Sequence, residues 1–189
     1  MLDVAVASFL EQGYAATTMS GVAAQVGGSK ATLWSYFPSK EHLFTAVLDR
    51  ATDEFRQELS LILTADGPVD AALNQFCRQF LHKITQADAV ALHRLVVGES
   101  SRFPELGQIF FERGPARIYA QLAEYLATAM ERHALLAAPP EEAARQLVGM
   151  CLSGCHQEAV LGVIGRVDLQ TIEEEVARAV QTFLRAYAP

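Results

Sequence analysis

Between Thr18 and Phe37 two short apolar patterns are separated by a pair of glycines, and this interruption constrains the fold more than any other stretch of the chain. Val22, Ala23 and Val26 recur at i, i+1 and i+4, which gives a short helix one small apolar face. Thr18 is placed to cap that helix. Gly27 and Gly28 then supply the backbone freedom of a tight turn, and Ser29 can cap a second helix running to about Tyr36. Two short helices joined by a glycine turn are expected.

On the second helix Leu33 and Phe37 lie four residues apart and pack inward, leaving Lys30, Thr32, Trp34, Ser35 and Tyr36 mostly on other faces. An exposed tryptophan beside a tyrosine is unfavourable in water. The same face makes sense in a DNA groove, where hydroxyls, an indole and a phenol contact phosphates, base edges and thymine methyls. The plainer alternative is a helical hairpin packed into a core, since glycine-turn helix pairs are common. The amide-rich helix N-termini at Thr18, Ser29 and Ser39 can also meet phosphates, with Lys40 beside the last of them. The candidate DNA-binding residues are therefore Thr18, Ser29, Lys30, Thr32, Trp34, Ser35, Tyr36 and Lys40.

The run from Met1 to about Arg50, with GYAATTMSGVAAQVG, SKATLWSYF and PSKEHLFTAVL, closely resembles the N-terminal domain of TetR/AcrR-type regulators. Phe9, Gly13 and Tyr14 match the end of that family's first helix. A Thr-Thr cap, a Val-Ala pair, a glycine turn, Ser-Lys-x-Thr-Leu and Ser-Lys-Glu follow in the family's order. There are three departures. Gly28 stands where the family usually has valine, and Trp34 replaces the commoner tyrosine, which bears on base readout. The sequence also starts at the first turn of helix 1 without the basic arm usual in the family, so a truncated or misassigned start is expected. The resemblance implies a three-helix DNA-binding domain over 1–50, with the helix-turn-helix at about 18–37, and an all-helical effector-binding and dimerisation domain over 51–189.

The rest of the sequence is consistent with this, because no segment shows the sustained period-two alternation of strands and the fold class is all-α. Ser39 and Glu41 open a helix whose stripe is Leu43, Phe44, Val47, Leu48, Ala51, Phe55, Leu59 and Ile62, ending near Ala65–Pro68. Further helices are expected at about 69–86, 88–102, 104–133, 140–165 and 168–187, with a kink at Gly114–Pro115. The segment LHRLVVGESSRFPELGQIFFERGPARIYAQLAEYL is similar to C-terminal domains of some TetR-type regulators.

Near the end, Gly149, Cys151, Ser153, Gly154, Cys155, Ala159 and Gly162 form a small-residue face beside a stripe of Ile172, Val176, Val180, Phe183 and Leu184. Close packing follows, either within one subunit or between two. The resemblance implies a homodimer through the two C-terminal helices, as two half-sites of a palindromic double-stranded operator require. It also implies a pocket for a small, mainly apolar effector, for which Phe76, Phe80, His93, Phe103, Phe110, Phe111, Tyr119, Met150 and His156 are the candidates. Aromatic residues at helical spacing are more often core, and a satisfied buried histidine is the plainer reading of His93 and His156.

Cys151, Cys155 and His156 fall within six residues, which raises a redox or soft-metal site. Two positions four apart on a regular helix, with Cα atoms about 6 Å apart, are poorly oriented for a disulfide. Small buried packing residues are the expected role, with Cys77 in the core and no metal or cofactor.

The 189 residues, 51% of them hydrophobic, suffice for a reader domain and a larger helical one. The net charge of −7, from 22 acidic and 15 basic residues, has the wrong sign for indiscriminate nucleic-acid binding. Residues 1–50 carry Lys30, Lys40 and Arg50 against Asp3, Glu11, Glu41 and Asp49, so affinity rests on a few placed contacts and two half-sites. No apolar run of about 18 or more residues suggests a membrane span, and a cytoplasmic location is expected. Catalytic motifs such as G-x-S-x-G, the P-loop or H-E-x-x-H do not occur, which argues against an enzyme. The reading is a ligand-responsive, homodimeric transcriptional repressor. The contrasting one is a helical small-molecule-binding or redox-sensing protein of the same fold with weak or lost DNA binding.

Overall fold

The computed structural model describes the backbone of residues 1–27, 30–63 and 67–189, and the side chains among them other than those of Lys30 and Glu54. Regular structure among the described residues is helical: α1 (Leu2–Ala16), α2 (Met19–Val26), α3 (Lys30–Tyr36), α4 (Lys40–Leu63), α5 (Val69–Ile84), α6 (Ala87–Glu99), α7 (Pro104–Arg113), α8 (Pro115–Glu131), α9 (Pro140–Cys151), a π-helical turn (Leu152–His156), α10 (Gln157–Leu161) and α11 (Leu169–Tyr187). The chain divides into two compact units. One joins Met1–Glu54 to Ala91–Pro115, and the other joins Phe55–Val90 to Ala116–Pro189. Helices α4 and α6 each contribute residues to both. Among the described residues no helix is long and apolar enough to cross a membrane.

In the first unit α1 buries Ala5 and Phe9 and breaks at Gly13, whose φ of 84° lies in the left-handed region that side chains disfavour. Thr17 closes the turn, its hydroxyl donating to the carbonyls of Gly13 at 2.7 Å and Ser8 at 2.9 Å. The rings of Phe9, Tyr14 and Phe44 then meet at centroid distances of 5.4–5.7 Å. Each such ring contributes about 1.5–3 kcal/mol by leaving water. Val22, Ala23, Leu33, Leu43, Val47 and Leu48 complete this core with Val96 and Leu106 from α6 and α7.

The helix pair follows from its caps. Thr18 accepts the Gly21 N–H at 3.0 Å, and α2 stops at Gly27, where φ is 71°. Leu33 is buried, and the Phe37 N–H bonds to the Leu33 carbonyl at 2.9 Å, extending the last turn of α3. The expected turn residue Gly28, the Ser29 cap and the Lys30 side chain lie outside the described residues, as do residues 65 and 66 of the helix end expected over 65–68.

The second unit is built on α5, α9 and α11. Leu73, Phe76, Cys77 and Phe80 of α5 pack with Leu147, Val148 and Cys151 of α9 and with Ile172, Val176, Val180 and Phe183 of α11. The apolar stripe of α11 is thus used within the chain. Of the small-residue face, Cys151, Cys155 and Ala159 are buried, while Gly149 and Ser153 are exposed. Outside this core Arg78 makes a bidentate pair with Glu173 at 2.5 and 2.8 Å, a solvated contact of modest value.

Two expected helices are divided. Residues 104–133 form α7 and α8 rather than one kinked helix, because Pro115 has no N–H to continue the ladder and instead occupies the first turn of α8. Residues 140–165 are interrupted by the π-helical turn and end at Leu161. There the Gly162 N–H reaches the Ala159 carbonyl, and the Val163 N–H reaches that of Glu158.

Candidate nucleic-acid interface

The outward face of α3 carries two exposed aromatic residues. Trp34 is 39% exposed and Tyr36 68%, while Thr32 and Ser35 lie open beside them. Leu33 anchors the opposite face in the core, and Phe37 packs against the same cluster. Ser35 donates its hydroxyl to the Thr32 carbonyl at 2.8 Å, leaving its oxygen lone pairs outward as acceptors. The surface thus offers an indole N–H, a phenol and two hydroxyls.

At the foot of α4, Ser39 Oγ pairs with His42 Nδ1 at 2.9 Å and accepts the His42 N–H at 3.4 Å. The Glu41 carboxyl is held below its usual range, chiefly by a hydrogen bond from Ser39 and then by its own backbone N–H. Lys40 turns inward: its ammonium donates to the Tyr14 carbonyl at 2.6 Å, lies 4.2 Å from the Tyr14 ring centroid and 5.6 Å from that of Phe103. Burial, followed by the charges of Glu41 and Glu105, pushes the Tyr14 hydroxyl well above the ordinary tyrosine range. This cluster ties the first turn of α4, which follows α3 in sequence, to the end of α1. Of the eight residues read as DNA-binding, Thr32, Trp34, Ser35 and Tyr36 share the open face of α3. Thr18 caps α2, and Lys40 is engaged at Tyr14.

The nine pocket candidates fall in both units. Phe76 and Phe80 stack at 6.0 Å in the second unit, where Tyr119 and Met150 pack against the same core and His156 is buried. Arg145 covers the Tyr119 ring at 4.9 Å. His93 and Phe110 stack at 5.9 Å in the first unit, where burial lowers the His93 pKa. Phe103 lies edge-on to Tyr14 at 5.3 Å, and Phe111 is exposed. His93, Phe103, Phe110 and Phe111 therefore belong to the reader unit.

Three features had no local signal in the sequence. Glu99 accepts the N–H groups of Tyr14 at 2.7 Å and Ala15 at 2.9 Å, across 85 and 84 residues. Cys77 shares a hydrogen bond with Cys151, which with burial holds the Cys77 thiol well above its usual range. The Glu175 carboxylate occupies the place a side chain at Gly154 would take.

Comparison with known proteins agrees with this architecture. Residues 1–47 match the family model described as bacterial regulatory proteins, tetR family, and residues 71–189 match that of the AefR-like transcriptional repressor C-terminal domain. The chain belongs to the TetR family of bacterial regulatory proteins. Among solved structures it is similar to a TetR-family transcriptional regulator from Mesorhizobium loti, with 27% identity, a TM-score of 0.86 and 100% and 95% of the two chains covered. It is also similar to the flavonoid-responsive regulator FrrA, with 34% identity, a TM-score of 0.80 and 100% and 97% covered. The HTH-type transcriptional repressor ComR of Escherichia coli is 29% identical over 109 residues, 57% of this chain and 52% of that one. The chain spans about half the length of the curated relatives it matches.

Proposed function

We propose that the protein is a homodimeric repressor whose α3 reads a palindromic operator and which a small, mainly apolar effector releases from DNA. The observation that carries the reading is the outward face of α3, where Thr32, Trp34, Ser35 and Tyr36 are displayed while Leu33 is locked in the core. A helix so mounted presents hydroxyl and aromatic groups to a major groove without disturbing its own packing. With a net charge of −7, phosphate affinity comes from a few placed contacts and two half-sites, so binding is modest and salt-sensitive.

Dimerisation uses the faces of α9 to α11 that the chain's own core leaves open. Gly149 and Ser153 are exposed there, as are Leu161, Val163 and Leu169 around the turn into α11. Effector binding is assigned to the second unit, near Phe76, Phe80, Tyr119 and Met150. The relative at 34% identity is a flavonoid-responsive regulator, which supports an aromatic ligand. All three cysteines are buried, which disfavours the redox-sensing alternative.

A gel shift of the chain with the intergenic DNA beside its own coding sequence, at two salt concentrations, tests the reading. A specific complex with two-fold-symmetric protection supports it. Absence of any specific complex at low salt overturns it.

A further inference from the structure

We infer that Glu99 is the positioning residue of the DNA reader: its carboxylate fixes the turn from which α4, and hence α3, is held, and so sets operator affinity. The inference rests on the DNA-binding reading above. Gly13 breaks the hydrogen-bond ladder of α1, so the N–H groups that follow begin a new turn without helical acceptors. Glu99 takes both of them, from Tyr14 at 2.7 Å and Ala15 at 2.9 Å. An anion at the start of a turn also suits the local dipole.

Two further observations make this a built contact. A Cβ at residue 13 would stand 2.8 Å from Glu99 Oε1, so the glycine serves the approach of the carboxylate as well as the positive φ. Phe103, four residues on and hydrogen-bonded through its N–H to the Glu99 carbonyl at 2.9 Å, sets its ring edge-on to Tyr14 at 5.3 Å. The last residue of α6 and the residue that precedes α7 thus grip one tyrosine twice.

From Tyr14 the connection continues to the reader. The carbonyl of the residue whose N–H Glu99 holds accepts the Lys40 ammonium at 2.6 Å, and Lys40 is the first residue of α4, four positions after α3 ends. A carboxylate, a peptide unit and an ammonium therefore form one polar chain. Removing the carboxylate leaves two N–H groups without their acceptor and loosens the peptide that orients Lys40.

The test compares the wild-type chain with Glu99→Ala and Glu99→Gln, reading operator dissociation constants at fixed salt, Trp34 emission without DNA, and thermal unfolding. Trp34 is the chain's one tryptophan and lies on α3, so its emission reports the reader directly. Glu99→Ala is expected to weaken operator binding tenfold or more and to shift Trp34 emission well below the unfolding transition. Glu99→Gln, which keeps one acceptor oxygen, recovers part of both. Binding within twofold of wild type with unchanged Trp34 emission, or a lowered melting temperature alone, overturns the inference. If Glu99→Ala does not fold, the same two readouts on Glu99→Gln decide it. If the wild type binds no operator, the DNA-binding reading falls, and the Trp34 shift still decides the role of Glu99.

Discussion

Lys40 Nζ donates to the Tyr14 carbonyl oxygen at 2.6 Å and stands 4.2 Å from the centroid of the same residue's ring. One ammonium thus satisfies a backbone acceptor and a ring face together, at the start of the helix that follows the reader. A lysine there bears on folding as well as on phosphate binding. Lys40→Ala is expected to lower stability by about 1–2 kcal/mol and to weaken operator binding as well. Thermal unfolding and a salt-controlled binding titration check the two effects separately; weakened binding at unchanged stability would indicate a purely phosphate-contacting lysine.

Tyr36 and Trp34 differ from Lys40 because their rings are displayed rather than packed. Tyr36→Ala is expected to change stability by no more than about 0.5 kcal/mol while weakening operator binding. Trp34→Ala is expected to alter sequence preference, with losses that depend on the base facing it. Binding to a panel of operator variants measures this, and a uniform loss across the panel argues for a phosphate contact instead.

The Tyr14 hydroxyl gives the reader unit an alkaline limit. Its folded-state pKa is raised, first by burial and then by Glu41 and Glu105, so the folded state keeps it neutral while the unfolded chain ionises near pH 10. The stabilisation is therefore complete below pH 10 and is lost as pH rises above it. Melting temperatures of wild type and Tyr14→Phe, followed from pH 8 to 11, are expected to differ by a constant amount up to about pH 10 and to approach each other above it. A constant difference across that range counts against the assignment.

Gly154 and Glu175 form the corresponding close pair in the second unit. The Glu175 carboxylate stands where a Cβ at residue 154 would be, and its side chain is only 16% exposed. Gly154→Ala is expected to destabilise the chain by about 1–3 kcal/mol, and less in a Glu175→Ala background. A double-mutant cycle by chemical unfolding measures that coupling. Strict additivity would show that the two positions do not compete for space.

The thiols are expected to stay silent in the folded chain. Cys77, Cys151 and Cys155 are all buried, and the Cys77 and Cys155 thiols are held above their usual range, Cys77 first by its hydrogen bond with Cys151 and Cys155 first by burial. A thiol-specific chromogenic reagent is expected to label none of them until denaturant is added. Rapid labelling of the native protein would revive a redox role.

How much of this was legible in the sequence depends on the range of the interaction. The helix pair was legible because its determinants are local: Thr18 caps α2, Gly27 ends it, and Leu33 and Phe37 repeat at helical spacing. The stripe of α4 was legible for the same reason, and its named residues are buried except Ala51, which faces out. The break at Pro115 was visible as a kink, but whether proline bends a helix or ends it depends on where Gly114 directs the chain, at φ −113° and ψ −92°. The grouping of His93 and Phe110 with the reader unit and Phe76 and Phe80 with the other could not be read from spacing, because tertiary packing makes it. Glu99 was invisible for the same reason: its partners lie more than eighty residues away, and only Gly13 hinted that something approaches that backbone.

The most direct measurement is a titration of the protein with duplex operator DNA, following Trp34 emission and DNA anisotropy together. The account predicts that both signals change in step and saturate at one dimer per palindromic site, because the chain's one tryptophan sits on α3, the helix proposed to enter the groove. Specific binding in anisotropy with Trp34 emission unchanged would contradict it, since DNA would then be held by some surface other than α3.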